Sequence, residues 1–171
     1  PYSRKYIWGT RTMMNKIGLF KILFLLFTAD YLESLVAPIL INAYINLPLT
    51  FLTFSFIIYK SGSYSSPIFS FLLGLYVDII SDSPIGLNAM LFCLMLYLVN
   101  SYSNTFRLFS YFQVCLFFSA SSLFFIGFTN LFINIDNFSY LELFVSFIFI
   151  TVMLVLLAIP RFSFLRIESS R

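Results

Sequence analysis

Two carboxylates one helical turn apart, Asp78 and Asp82, lie at the end of an apolar run in GLYVDIISDSPIGLNA, Gly74 to Ala89. A D-x-x-x-D pair on one helix face can hold a metal-diphosphate, as in lipid-phosphate transferases, provided further acids and bases bind Mg²⁺ and phosphate. No such cluster accompanies the pair here. The serines of KSGSYSSP, Lys60 to Pro67, offer hydroxyl nucleophiles, but the chain contains no histidine to act as a base. That absence removes Ser-His and Cys-His nucleophile systems, His-ligated metals and His proton relays together. Cys93 and Cys115 lie in apolar runs without C-x-x-C spacing and read as small buried hydrophobes. No catalytic residue, metal or other cofactor is therefore expected, and the loop serines read as solvated turn residues.

The elements that must position these residues follow from composition. Of 171 residues, 60% are hydrophobic and 10% charged, too few charges to cover a water-soluble surface over so many Phe, Leu and Ile side chains. The solvent that suits such a chain is the bilayer. Six hydrophobic segments are predicted, at about 17–36, 41–59, 67–80, 85–100, 109–133 and 140–159. Breakers separate them: Pro38, Ser61-Gly62-Ser63, Ser81 to Pro84, Ser101 to Asn104, and Asn134 to Asn137. The runs are continuous and longer than the roughly 9–11 alternating residues of a barrel strand, so they read as helices. Short links imply antiparallel neighbours. The expected fold is an all-α integral membrane protein, a compact bundle of about six transmembrane helices. It forms one membrane domain, 17–160, between a basic segment 1–16 and a basic tail 161–171. The third and fourth segments fall short of the roughly 20 residues that span hydrocarbon, which implies a locally thin region or a partial span. The first run leads into Asp30 and Glu33, not into a small-residue cleavage site, so no cleavable signal peptide is expected. Met13-Met14 ahead of NKIGLF has the form of a natural start.

Charge placement gives an orientation. With a cytoplasmic amino terminus, Arg4, Lys5, Arg11, Lys16, Lys60, Arg107, Arg161, Arg166 and Arg171 all fall on the inner side. Lys21, one turn into the first helix, can snorkel to the same surface. Both termini are thus expected in the cytoplasm, and the net charge of +3 reads as membrane orientation, not as a nucleic-acid patch. The acids mirror this. Asp30 and Glu33 fall late in the first helix, Asp78 and Asp82 late in the third, Asp136 and Glu142 where the sixth begins, and Glu168 alone inside.

A carboxylate at bilayer depth costs roughly 2.5–3.5 kcal/mol on insertion scales, so Asp78 is expected to face the bundle interior or a wet cavity. Gly74, one turn earlier on the same face, lets a neighbouring backbone approach. Ser83 before Pro84 reads as an N-cap followed by proline at the first helical position. That starts the fourth helix near Pro84, with its positive dipole end beside Asp82 and Asp78. Two readings stay open: a tight hairpin whose acids satisfy backbone amides, or a site for a partner or ligand. On the second reading a partner's Lys or Arg, a cation or a proton neutralises Asp78 in the assembled complex. The aromatic residues, 21% of the chain, are scattered through every segment and read as lipid contact and packing.

The run FLLGLYVDIISDSPIGLNAM resembles the signature segment of the rod shape-determining protein MreD family, G-x-x-x-D-x-x-S-x-x-P-x-G. Gly74, Asp78, Ser81, Pro84 and Gly86 match it. One departure is Asp82, where family members often have Gly. The resemblance implies a non-enzymatic subunit of the bacterial elongation machinery in the inner membrane. Such a subunit binds MreC and works with MreB, a SEDS-family glycosyltransferase and a class B penicillin-binding protein in lateral-wall peptidoglycan synthesis. It also implies a bundle similar to the substrate-binding subunits of energy-coupling-factor vitamin transporters, which keeps a small-molecule binding or transport role as the alternative.

Overall fold

The computed structural model describes residues 19–61, 66–106, 108–133 and 139–168. They form α1 (Leu19–Ile41), α2 (Leu49–Ser61), α3 (Pro67–Ile80), α4 (Leu87–Ser101), the single turn α5 (Ser103–Phe106), α6 (Tyr111–Ile133) and α7 (Tyr140–Glu168). No strand occurs among the described residues. The fold is all-α, as the continuous apolar runs require: in hydrocarbon only a helix or a closed barrel satisfies its own backbone groups.

Each of the six hydrophobic segments corresponds to one of the longer helices, but three boundaries move by several residues. Pro38 does not end the first helix, which runs on to Ile41. Proline removes one N–H, the donor to the Ser34 carbonyl, and its ring crowds that carbonyl, yet the helix continues for three residues more. There Asn42 Nδ2 donates to the Pro38 carbonyl (3.5 Å) and the Ile45 N–H to that of Leu40 (3.1 Å). The second helix begins at Leu49, well after the predicted start, because residues 42–48 form this turn with Tyr44 at φ 56°. At the other end of the chain α7 continues to Glu168, through most of the expected tail. The basic segment 1–16 and Asp136 lie outside the described residues.

Among the described residues three helices are long and apolar enough to cross a membrane: Phe20–Leu40, Tyr111–Phe132 and Tyr140–Leu157. α2, α3 and α4 are shorter, at 13, 14 and 15 residues. The described residues gather in two compact units, one drawn from 1–34 and 49–104, the other from 35–48 and 105–171.

In the first unit α4 packs against both α3 and α2. The buried stripe of α3, Ser70, Leu73, Gly74, Val77 and Asp78, recurs every three or four residues, as one helix face must. Phe92 of α4 stacks on Phe54 of α2, ring centroids 3.9 Å apart and planes 13° from parallel. α1 adds Ile22, Leu26 and Ala29, all buried. In the second unit α6 packs on α7. Ser119 and Ser122 of α6 and Ser146 of α7 are fully buried there, small residues that let helices approach. The two α6 hydroxyls donate to the carbonyls of Cys115 and Phe118, one turn back in the same helix. Ser146 Oγ accepts the Asn46 N–H at 2.8 Å.

Candidate functional site

The segment from Gly74 to Ala89 builds a helical hairpin whose two arms touch at the backbone. Gly74 faces Ala89: a Cβ on Gly74 would overlap the Ala89 Cα and come within 2.6 Å of its N and 2.9 Å of the Asn88 carbonyl carbon. Only glycine permits this approach. It brings the next turn of α3, with Asp78, against the start of α4.

Asp78 is 1% exposed, yet its carboxylate is fully engaged. Oδ2 accepts the Gly86 N–H at 2.7 Å. Oδ1 accepts the Asn88 N–H and the Ser83 hydroxyl, each at 2.9 Å. Asn88 Nδ2 in turn donates to Ser83 Oγ at 3.0 Å, which closes the network. The leading N–H groups of a helix have no partner within it. Here a residue of the preceding helix supplies one, and its negative charge lies at the positive end of the α4 dipole.

The turn that makes this possible uses two left-handed residues. α3 ends in a Schellman-type closure, with the Ser83 N–H donating to the Asp78 carbonyl (3.2 Å) around Asp82 at φ 48°. Position 82 is the place where such a closure favours glycine, and aspartate tolerates it better than most residues. The chain then turns from Pro84 to Leu87, whose N–H donates to the Pro84 carbonyl at 3.1 Å, with Gly86 at φ 99° and ψ −12°. Those angles suit the third position of a type II turn, which needs glycine. The fourth helix therefore starts at Leu87 with Gly86 as N-cap, and not near Pro84 behind a Ser83 cap. Ser83 instead serves Asp78, and Pro84 opens the turn that aims two amides at the carboxylate.

Glu33 does for α2 what Asp78 does for α4. One oxygen, Oε2, accepts both the Thr50 N–H (2.9 Å) and the Thr50 hydroxyl (2.8 Å), at the second residue of α2. Asp30, three residues earlier on α1, accepts the Ser81 hydroxyl at 2.7 Å and so ties α1 to the hairpin link. In the second unit Glu142 falls in the first turn of α7. Glu33, Asp78 and Glu142 thus each sit at a helix start, where the N–H groups and dipole stand in for a basic partner.

Of the residues singled out in the sequence, Gly74, Asp78, Ser81, Pro84, Gly86, Asp30 and Glu33 all join this end of the first unit. Asp82 is there too but stands outside the network, exposed. The Asp78 carboxylate is enclosed here, and its three donors belong to its own chain, as in the reading of a tight hairpin whose acids satisfy backbone amides. Asn88 and Thr50 were missed. The only sequence signal for either was its place just inside a helix start, where a carboxylate finds free amides. Among the described residues no group of three His, Cys, Asp or Glu side chains could hold a metal.

Comparison with known proteins agrees with the segment just described. The family model for rod shape-determining protein MreD matches residues 14–166. No curated protein and no solved structure matches, and the expected likeness to energy-coupling-factor subunits is not confirmed. The match spans nearly the whole chain, both units and the glycine-aspartate hairpin between Gly74 and Ala89 included: the chain belongs to the MreD family of rod shape-determining proteins.

Proposed function

We propose that this membrane protein serves rod-shape determination as a non-catalytic subunit of the elongation machinery in the bacterial inner membrane, both termini cytoplasmic. On this reading it binds MreC directly and works with MreB, a SEDS-family glycosyltransferase and a class B penicillin-binding protein in lateral-wall peptidoglycan synthesis. The observation that carries the reading is family membership over residues 14–166. The use of the motif supports it: Gly74, Asp78 and Gly86 are spent on holding a helix hairpin together, with the Asp78 carboxylate enclosed by its own donors and turned away from solvent.

The docking face on this reading is the exposed rim around that hairpin, Ser81, Asp82, Pro84 and Ile85, with Asp30 half-buried beside it. Asp82 is its charged member left outside the internal network. An affinity-tagged chain recovered from native membranes should bring MreC with it, and Asp82→Lys should lower that recovery several-fold without lowering the folded amount. Recovery of an ATPase module in place of wall-synthesis proteins would overturn the assignment and favour transport. Undiminished MreC binding by the Asp82 variant would move the docking face elsewhere.

A further inference from the structure

The three short helices belong to one unit, and the α3–α4 pair is polar at both ends. At about 1.5 Å per residue, the 13, 14 and 15 residues of α2, α3 and α4 reach about 20–23 Å. The hydrocarbon core of a typical bilayer is about 30 Å thick. A short helix is accommodated by sinking one end, by flanking residues that snorkel, or by a thinner bilayer.

Sinking is closed to α3 and α4. At one end of the pair Ser81, Asp82 and Pro84 are exposed, and Asp82 carries a carboxylate. At the other, Ser66 before α3, Pro67 at its start, Ser101 at the end of α4 and Tyr102 after it are exposed, as is Lys60 near the end of α2. Neither end can lie in hydrocarbon without stranding polar groups. Snorkelling needs long cationic stems at both ends, and the Ser81–Pro84 link has none. Tilt only shortens the reach. Between the two ends the pair presents Ile68, Phe71, Leu72, Ile79, Met90 and Tyr97, each 45% to 73% exposed. This apolar band is no taller than the helices that carry it.

We infer that the bilayer around the first unit is thinned to about 20–23 Å of hydrocarbon, so that the surface of α3 and α4 fits a thin lipid patch. The inference goes beyond membership of a wall-building complex, and its test needs no partner.

The test uses the full chain in phosphatidylcholine vesicles, with Trp8→Phe to remove the single native tryptophan and a probe at either end of the α3 band, Ile68→Trp or Ile79→Trp. Both positions are more than 70% exposed, so each accepts the larger ring. Bromines near the headgroup should quench both probes at least about twofold more than bromines deep in the chain, as two shallow ends require. Deep bromines quenching either probe more strongly would mean a partial span in a bilayer of ordinary thickness, and would overturn the inference. The unaltered chain gives a second reading. Its thermal unfolding midpoint should be higher in 14- or 16-carbon monounsaturated lipids than in 20-carbon ones; the reverse order would sink the idea as surely.

Discussion

Asp78 and Asp82, four residues apart, have opposite surroundings and should answer mutation in opposite ways. Both oxygens of Asp78 accept: Oδ2 from Gly86, Oδ1 from Asn88 and Ser83. Asparagine keeps one acceptor and turns an NH₂ toward a donor, so Asp78→Asn should destabilise the protein by about 1–3 kcal/mol, the usual cost of a buried unsatisfied group. The folded fraction and the thermal midpoint in detergent would both fall, instead of assembly alone. Asp82 is held at φ 48°, a region costing a residue with a Cβ about 1–2 kcal/mol. Asp82→Gly relieves it, so its midpoint should equal or exceed that of the parent chain. A lower midpoint would show that the Asp82 side chain holds the turn in some way its exposure does not suggest.

At the scale of the helix, one device recurs: a carboxylate from one helix caps the start of another. Glu33 caps α2 and Asp78 caps α4, each at the second residue of the helix served. This accounts for carboxylates that have no basic residue close to them in the sequence, since helix starts supply the positive ends. The two caps differ in detail. Both Thr50 donors meet the same oxygen of Glu33, so Glu33→Gln can keep the pair by presenting its amide oxygen. It should unfold close to the parent temperature, whereas Glu33→Ala loses the cap at about 0.5–2 kcal/mol. Equal losses for the two substitutions in a thermal melt would show that charge, and not the acceptor, sustains α2. The close pairing of Gly74 with Ala89 belongs to this scale as well, because it sets how near α3 brings Asp78 to the amides of α4.

For the whole molecule, orientation rests on the basic residues, most of which fall before α1, at Lys60, at Arg107 and after Ile159. With both termini cytoplasmic, as proposed, the positive-inside rule would put the Ser81–Pro84 link on the far side of the membrane. Fluorescent protein fused after Arg171 should fluoresce in cells, while alkaline phosphatase inserted in the 81–84 link should be active. Activity of phosphatase at the carboxyl terminus would invert the arrangement. Such an orientation directs the rim at Asp82 to the compartment where the wall is built, which is what the proposed docking needs.

The class of the molecule and most of its helices were legible in the residues. A continuous apolar run fixes both the solvent and the conformation, since a backbone in lipid must satisfy itself, and the run 67–80 is helical over its predicted length. The motif was legible too, because Gly74 and Gly86 answer to local demands: a close approach and a positive φ. Not legible was what the carboxylates hold. Asp78 reaches amides eight and ten residues on, across a turn set by the angles at Asp82 and Gly86, and Glu33 reaches seventeen residues to Thr50. In the sequence these acids looked unpaired because their partners are backbone amides and hydroxyls, not basic side chains. Free amides and a dipole exist only once a helix has formed, and only the packing of one helix beside another decides which acid meets them.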